Sequence, residues 1–112
     1  MAKVIITEKL EKDINKKFKR DSIEIFSLML TLETNPKKGK EVGNIGGIVI
    51  KEIKYKKFRF YFVTDGFKIK FLKTEELKDL IIKFVRMSEK KDQQRTINEI
   101  KNVLKNLGEE GF

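Results

Sequence analysis

Cysteine and histidine are absent from the 112 residues, and with them go whole classes of chemistry. The chain has no thiol nucleophile, no disulfide framework, no zinc site of the usual kind, no Ser-His-Asp triad and no histidine general base. Any catalysis has to run on Lys, Arg, Tyr, Asp or Glu. Long apolar runs are lacking too, since none approaches the roughly 20 residues of a membrane span. The start, Met1-Ala2-Lys3-Val4-Ile5-Ile6-Thr7-Glu8, becomes charged too early for a signal peptide. The expectation is a cytoplasmic protein without a membrane partner.

What the chain has in excess is charge. Charged residues make up 38% of it, nearly matching the 39% that are hydrophobic, and the net charge is +9 with a pI near 9.7. Such a balance points to an acidic partner, either nucleic acid or an acidic protein segment. A lysine excess also follows from genome composition or a hot habitat. The length fits one domain over residues 1–112, burying roughly two thirds of its unfolded surface around a single core.

The stretch from Ile48 to Met87 organises the rest. Four β-branched or aromatic runs, 48–55, 57–63, 67–72 and 80–86, alternate with period two and predict strands with one buried and one wet face. Thr64-Asp65-Gly66 predicts a tight hairpin between the second and third runs. Phe58, Phe60 and Phe62 share a face with Phe67, Ile69 and Phe71 and form the expected core side. Lys57, Arg59 and Tyr61 point the other way with Lys68 and Lys70, joined by Lys83, as a cationic open face.

Before the sheet, residues 3–6 predict a short strand, and Thr7 with Glu8 starts a helix that carries Leu10, Ile14 and Phe18 and ends near Arg20. Asp21 and Glu24 start a second helix with a wide apolar arc, stopped at Asn35-Pro36. The basic, glycine-rich segment from Lys37 to Gly47 lacks the arrangement of a phosphate-binding loop. It reads as a connector or as a backbone clamp for RNA. Residues 73–79 are a polar connection and 88–94 a charged linker. The last helix carries Ile97, Ile100, Val103, Leu104 and Leu107, with Gly108 as its cap. Residues 109–112 read as a frayed tail whose Phe112 could anchor on a neighbour.

In this order the chain resembles the RelE/ParE toxin superfamily, above all its HigB-like branch. The resemblance is carried by Leu32-Glu33-Thr34-Asn35-Pro36-Lys37-Lys38-Gly39-Lys40, by Lys54 with Phe58-Arg59-Phe60-Tyr61, and by Phe84-Val85-Arg86 with Lys90-Lys91 and Asn98-Glu99-Ile100. It implies an α+β fold in which two N-terminal helices and a C-terminal helix pack on one face of a small, mainly antiparallel sheet. It also implies the toxin of a toxin–antitoxin pair, a ribosome-dependent mRNA endonuclease needing neither metal nor cofactor. Its partners would be a cognate antitoxin, mRNA and the ribosome. Two departures stand out: the segment between Tyr61 and Phe84 is longer than in HigB-like members, and a later tyrosine or arginine near the C-terminus has no match.

The residues implied for catalysis are Lys51, Lys54, Arg59 and Arg86, and those for RNA binding Lys57, Tyr61, Lys68, Lys70, Lys83, Lys90 and Lys91. Cleaving RNA without histidine needs a base for the 2′-hydroxyl, cations for the phosphate charge and an acid for the leaving oxygen. A lysine among other cations has a lowered pKa, because its neighbours disfavour the protonated form. Lys51 or Lys54 would be the base, Arg59 the phosphate clamp, and Arg86 or Tyr61 an acid or a stacking partner. Two other classes stay open: a non-catalytic RNA-binding module, and a ParE-like inhibitor that binds DNA gyrase.

Overall fold

A computed structural model describes all residues, Met1–Phe112. The chain runs β1 (Lys3–Ile6), α1 (Glu8–Phe18), α2 (Ser22–Leu30), β2 (Lys40–Ile45), β3 (Ile48–Tyr55), β4 (Phe58–Asp65), α3 (Gly66–Phe71), β5 (Ile81–Glu89) and α4 (Gln93–Leu107). The sheet order is β1-β5-β4-β3-β2, with β1 parallel to β5 and every other pairing antiparallel. The expected α+β class and mainly antiparallel sheet are observed. No helix is long and apolar enough to cross a membrane.

Thr7 turns β1 into α1: its hydroxyl accepts the Leu10 N–H at 3.4 Å, with Glu8 and Glu11 in the first turn beside the helix's positive end. Leu10 and Ile14 of α1, with Ile25 and Met29 of α2 and Leu32 just after it, are buried against Ile53, Phe60, Phe62, Ile82 and Phe84. Each fully buried ring or branched chain there contributes about 1.5–3 kcal/mol. Phe18 closes this layer by meeting Phe58 edge-on at 4.9 Å.

The C-terminal helix departs from the expected layout. Ile97, Ile100 and Leu104 of α4 pack on Ile50, Tyr61, Val63 and Val85, on the face opposite α1 and α2. Two local features make room and grip. A bulge pairs Tyr61 with Arg86 but Phe62 with Phe84, so Val85 and Arg86 both face α4. Gly43 lacks a Cβ where one would come within 2.8 Å of the Lys101 side chain. The face that alternation marks as open and cationic is therefore largely covered.

The third run is also not a strand. Asp65 accepts the N–H groups of Phe67 and Lys68 at 3.0 and 3.3 Å, capping the short α3 instead of turning a hairpin. Gly66 serves close approach: an added Cβ would lie 2.3 Å from a Val49 methyl. On this helix Ile69 packs against the core while Phe67 and Phe71 are 66% and 72% exposed.

The glycine-rich connector holds β2, and Gly46 (φ 54°) with Gly47 (φ 85°) makes the tight turn into β3. β5 runs on to Glu89, so the charged linker is shorter than expected. Gly108, at φ 68°, caps α4 as the sequence predicts. The tail does not fray: residues Gly108–Gly111 form a short 3-10 turn, and Phe112 packs beside the α4 core under the Arg86 guanidinium, 5.0 Å from its ring centre.

Candidate nucleic-acid interface

On the α4 side, the sheet carries its polar residues in two rows across the strands. One row is Lys40, Glu52, Tyr61 and Arg86, and the next, nearer the β3–β4 turn, is Lys54, Arg59 and Ser88. The α4 helix begins over them. Gln93 donates to Glu52 at 2.8 Å, Arg59 lies 3.9 Å from Glu52, and the Tyr61 hydroxyl shares a 2.8 Å hydrogen bond with Ser88. Arg59 and Glu52 are only 8% and 7% exposed. Burial pushes the Tyr61 phenol up, against the hydrogen bond shared with Ser88. This cluster seats the first turn of α4.

The four residues implied for catalysis do not converge. Lys51 lies on the opposite face from Lys54, Arg59 and Arg86, because it faces Phe62 across the strands. Its ammonium donates to the Lys37 carbonyl at 2.9 Å and sits 6.0 Å from the Phe62 ring centre. Burial lowers its pKa, opposed by Glu41 across the strand pair. The lysine that burial turns toward a base is thus enclosed and out of reach of Arg59. Arg86 is held by Glu99 at 2.7 Å and by its neighbour's carbonyl, Val85, at 2.8 Å. Lys54 alone of the four is exposed and free of an ion pair.

The residues implied for RNA binding also separate. Lys57 and Lys91 both reach Glu89, at 3.2 and 3.4 Å, and together hold its carboxyl below the usual carboxylate range. Lys90 is exposed and unpaired, and its backbone N–H donates to Lys57 at 3.2 Å, fixing the segment after β5 to the β3–β4 turn. Tyr61 is fully buried. Lys68 and Lys70 sit on α3 at the other end of the sheet. Lys83 is turned onto the Glu109 carbonyl at 2.9 Å.

The β3–β4 end gains cations that strand alternation could not supply. Phe18 and Phe58 lock the end of α1 against the turn, and the Lys17 and Lys57 ammonium groups lie 5.2 and 5.6 Å from the Phe58 ring centre. Lys19, Arg20 and Lys56 are exposed beside them. Lys17, Lys19, Arg20, Lys54, Lys56 and Lys90 make no ion pair. The signal for this cluster is present in the sequence as Lys16-Lys17-Phe18-Lys19-Arg20, whose apolar Phe18 ties the basic helix end to the sheet.

Two shallow depressions open at this end, the first with one lysine against two carboxylates and the second the more cationic. One, of about 270 Å³, is lined by Lys17, Phe58, Met87, Ser88, Glu89 and Asp92. The other, of about 440 Å³, lies between the β2 edge and the start of α4, with Lys40, Lys90, Lys91 and Gln93 among its walls. The arrangement suits a string of phosphates across an exposed surface. It does not place a base, a clamp and an acid around one bond. No family model, no curated protein and no solved structure matches the chain.

Proposed function

We propose that the protein binds single-stranded RNA by its phosphates at the β3–β4 end of the sheet, as a binding module on a toxin-like layout. The observation that carries this reading is the convergence there of unpaired lysines and an arginine from α1 and the turn after it, the β3–β4 turn, β3 and the segment after β5. Unpaired cations release counterions on binding, so affinity depends steeply on salt. Neutralising about six phosphates of a single strand gives a log-log salt slope near −4. The RelE/ParE-like reading is supported by chain order, in which a helix pair separates β1 from the antiparallel strands and β1 returns beside the last of them.

The test is a salt titration of binding to an unstructured RNA oligonucleotide, with Lys54→Gln/Lys90→Gln beside the wild type. Both residues are exposed, so the variant keeps its fold and loses affinity with a shallower slope. A flat response in the wild type would remove RNA from consideration and favour a protein target such as gyrase.

The ribosome-dependent endonuclease is a second reading, and one juxtaposition favours it: Lys54, which makes no ion pair, is paired with Arg59 across β3 and β4. It predicts cuts by primer extension in a translating extract that need ribosomes and vanish with Lys54→Gln. Arg59→Ala is the poorer probe, because it also disturbs the packing of α4. Binding without cuts leaves the module reading in place. In either case the toxin assignment would call for a cognate antitoxin.

A further inference from the structure

The first depression at the β3–β4 end does not match the cationic surface around it. Phe58 and Met87 give it apolar walls, Ser88 a hydroxyl, Glu89 and Asp92 carboxylates, and Lys17 an ammonium. Two carboxylates repel a phosphate, so this hollow interrupts the run of phosphate contacts and does not extend it. Its volume of about 270 Å³ is close to the roughly 300 Å³ at which small-ligand sites begin. The two acids are not equivalent. Glu89 gives one oxygen to Lys57 and the other to Lys91, at 3.2 and 3.4 Å. Asp92 occupies the N-cap of α4, where a carboxylate ordinarily accepts a backbone N–H of the first turn, yet its side chain makes no such bond. Its one ion pair is with Arg95 at 3.2 Å, a side chain 81% exposed. Asp92 is thus the acceptor left for a ligand, and Lys17, which makes no ion pair, is the donor in the same hollow.

Resting on the RNA-binding reading above, we infer that this hollow takes one unstacked guanine base of the bound strand while the lysines around it hold the flanking phosphates. A single strand leaves its bases free to turn outward and be read on their pairing edges. Guanine presents two neighbouring N–H donors there, the N1–H and the 2-amino group, beside the O6 acceptor. The Asp92 carboxylate accepts from both donors, and the Lys17 ammonium donates to O6. Adenine, cytosine and uracil each carry an acceptor beside their one donor group, and that acceptor would face the carboxylate. Phe58 and Met87 supply the apolar contact a base ring needs. A cationic side chain of a protein partner would also suit the carboxylates, but it would have to enter among lysines on a molecule already at +9.

The test is fluorescence anisotropy with RNA oligonucleotides of one length, each an oligouridylate with guanosine, inosine, adenosine, cytidine or uridine at its centre. Phosphate number is then constant and only the base changes. The guanosine oligonucleotide is expected to bind about tenfold tighter than the adenosine, cytidine and uridine ones. Inosine, which lacks the 2-amino group, falls between. Asp92→Asn brings guanosine down to the level of the others, and Lys17→Gln lowers the guanosine-to-uridine ratio, a quantity that a general loss of phosphate affinity does not move. Circular dichroism confirms that both variants keep the fold. Equal binding of all five oligonucleotides with a steep salt dependence would overturn the guanine site and leave the phosphate reading standing. Absence of salt-dependent RNA binding in the wild type would overturn both. A preference for another base, or a guanosine preference that survives both substitutions, would also overturn the guanine site.

Discussion

Phe58-Arg59-Phe60-Tyr61-Phe62 and Phe67-Lys68-Ile69-Lys70-Phe71 are nearly the same pattern on paper, yet one is the centre of the sheet and the other a helix at its end. In β4, period two buries Phe60 and Phe62 under α1 and α2. In α3, period 3.6 brings Phe67 and Phe71 together in solvent and leaves Ile69 alone to pack. The difference lies in what surrounds each run. β4 has β3 and β5 on its two sides, so a strand formed directly after it finds both neighbouring positions taken. Asp65 then offers the backbone a cap for a helix. A short alternating run gains its conformation from available partners, not from its own pattern.

The sharpest way to break this comparison is to truncate the matching ring in each run. Phe62→Ala should cost about 3–5 kcal/mol, because it empties a fully buried site. Phe71→Ala should stay within about 0.5 kcal/mol. Urea unfolding of the two variants measures both, and similar losses would mean that α3 is part of the core.

Next in size is the buried pair under α4. Arg59→Ala leaves the buried Glu52 carboxylate with the Gln93 hydrogen bond but without its cationic neighbour and should destabilise by about 3 kcal/mol. The same denaturant midpoints read it. A fall below about 1 kcal/mol would mean that Arg59 is a surface residue after all. Asp65→Ala comes below that, at about 1 kcal/mol for a lost cap, with less helical signal in circular dichroism and the sheet unchanged.

The smallest effect is a pH dependence. Burial lowers the Lys51 pKa in the folded chain below its ordinary value of 10.5, so between those two values the unfolded state holds more protons. Stability from this residue therefore rises as pH climbs toward 10.5, and below the folded-state pKa the full cost of the buried charge is present. Lys51→Met should flatten that rise. The wild-type minus variant difference isolates it from Tyr55 and Tyr61, whose raised pKa values act in the opposite direction.

Much of the fold can be read in the sequence: Thr7 as a cap, the stripe Leu10, Ile14 and Phe18, strands near 48–55, 58–65 and 81–89, and Gly108 as the end of the last helix. β2 escapes that reading because a bulge after Glu41 breaks its alternation and its apolar residues are few. The placement of α4 escapes it too, since Ile50, Val63 and Val85 are scattered among Glu52, Arg59 and Arg86 on a face that looks wet. The candidate site is legible only in part. Alternation assigns Arg59 and Tyr61 correctly to one face but says nothing of what covers them. The family resemblance, not alternation, puts Lys51 in the wrong company, and alternation has no means to bring Lys17 from α1 beside Phe58.

The central claim is that the β3–β4 end, and not the α3 end, meets RNA phosphates. Salt titration of binding to a single-stranded RNA oligonucleotide tests it most directly, with Lys54→Gln/Lys90→Gln compared with Lys68→Gln/Lys70→Gln. The account predicts a slope shallower by about 1.4 for the first pair and an unchanged slope for the second. An equal fall for both pairs, or a fall confined to the second, would contradict it.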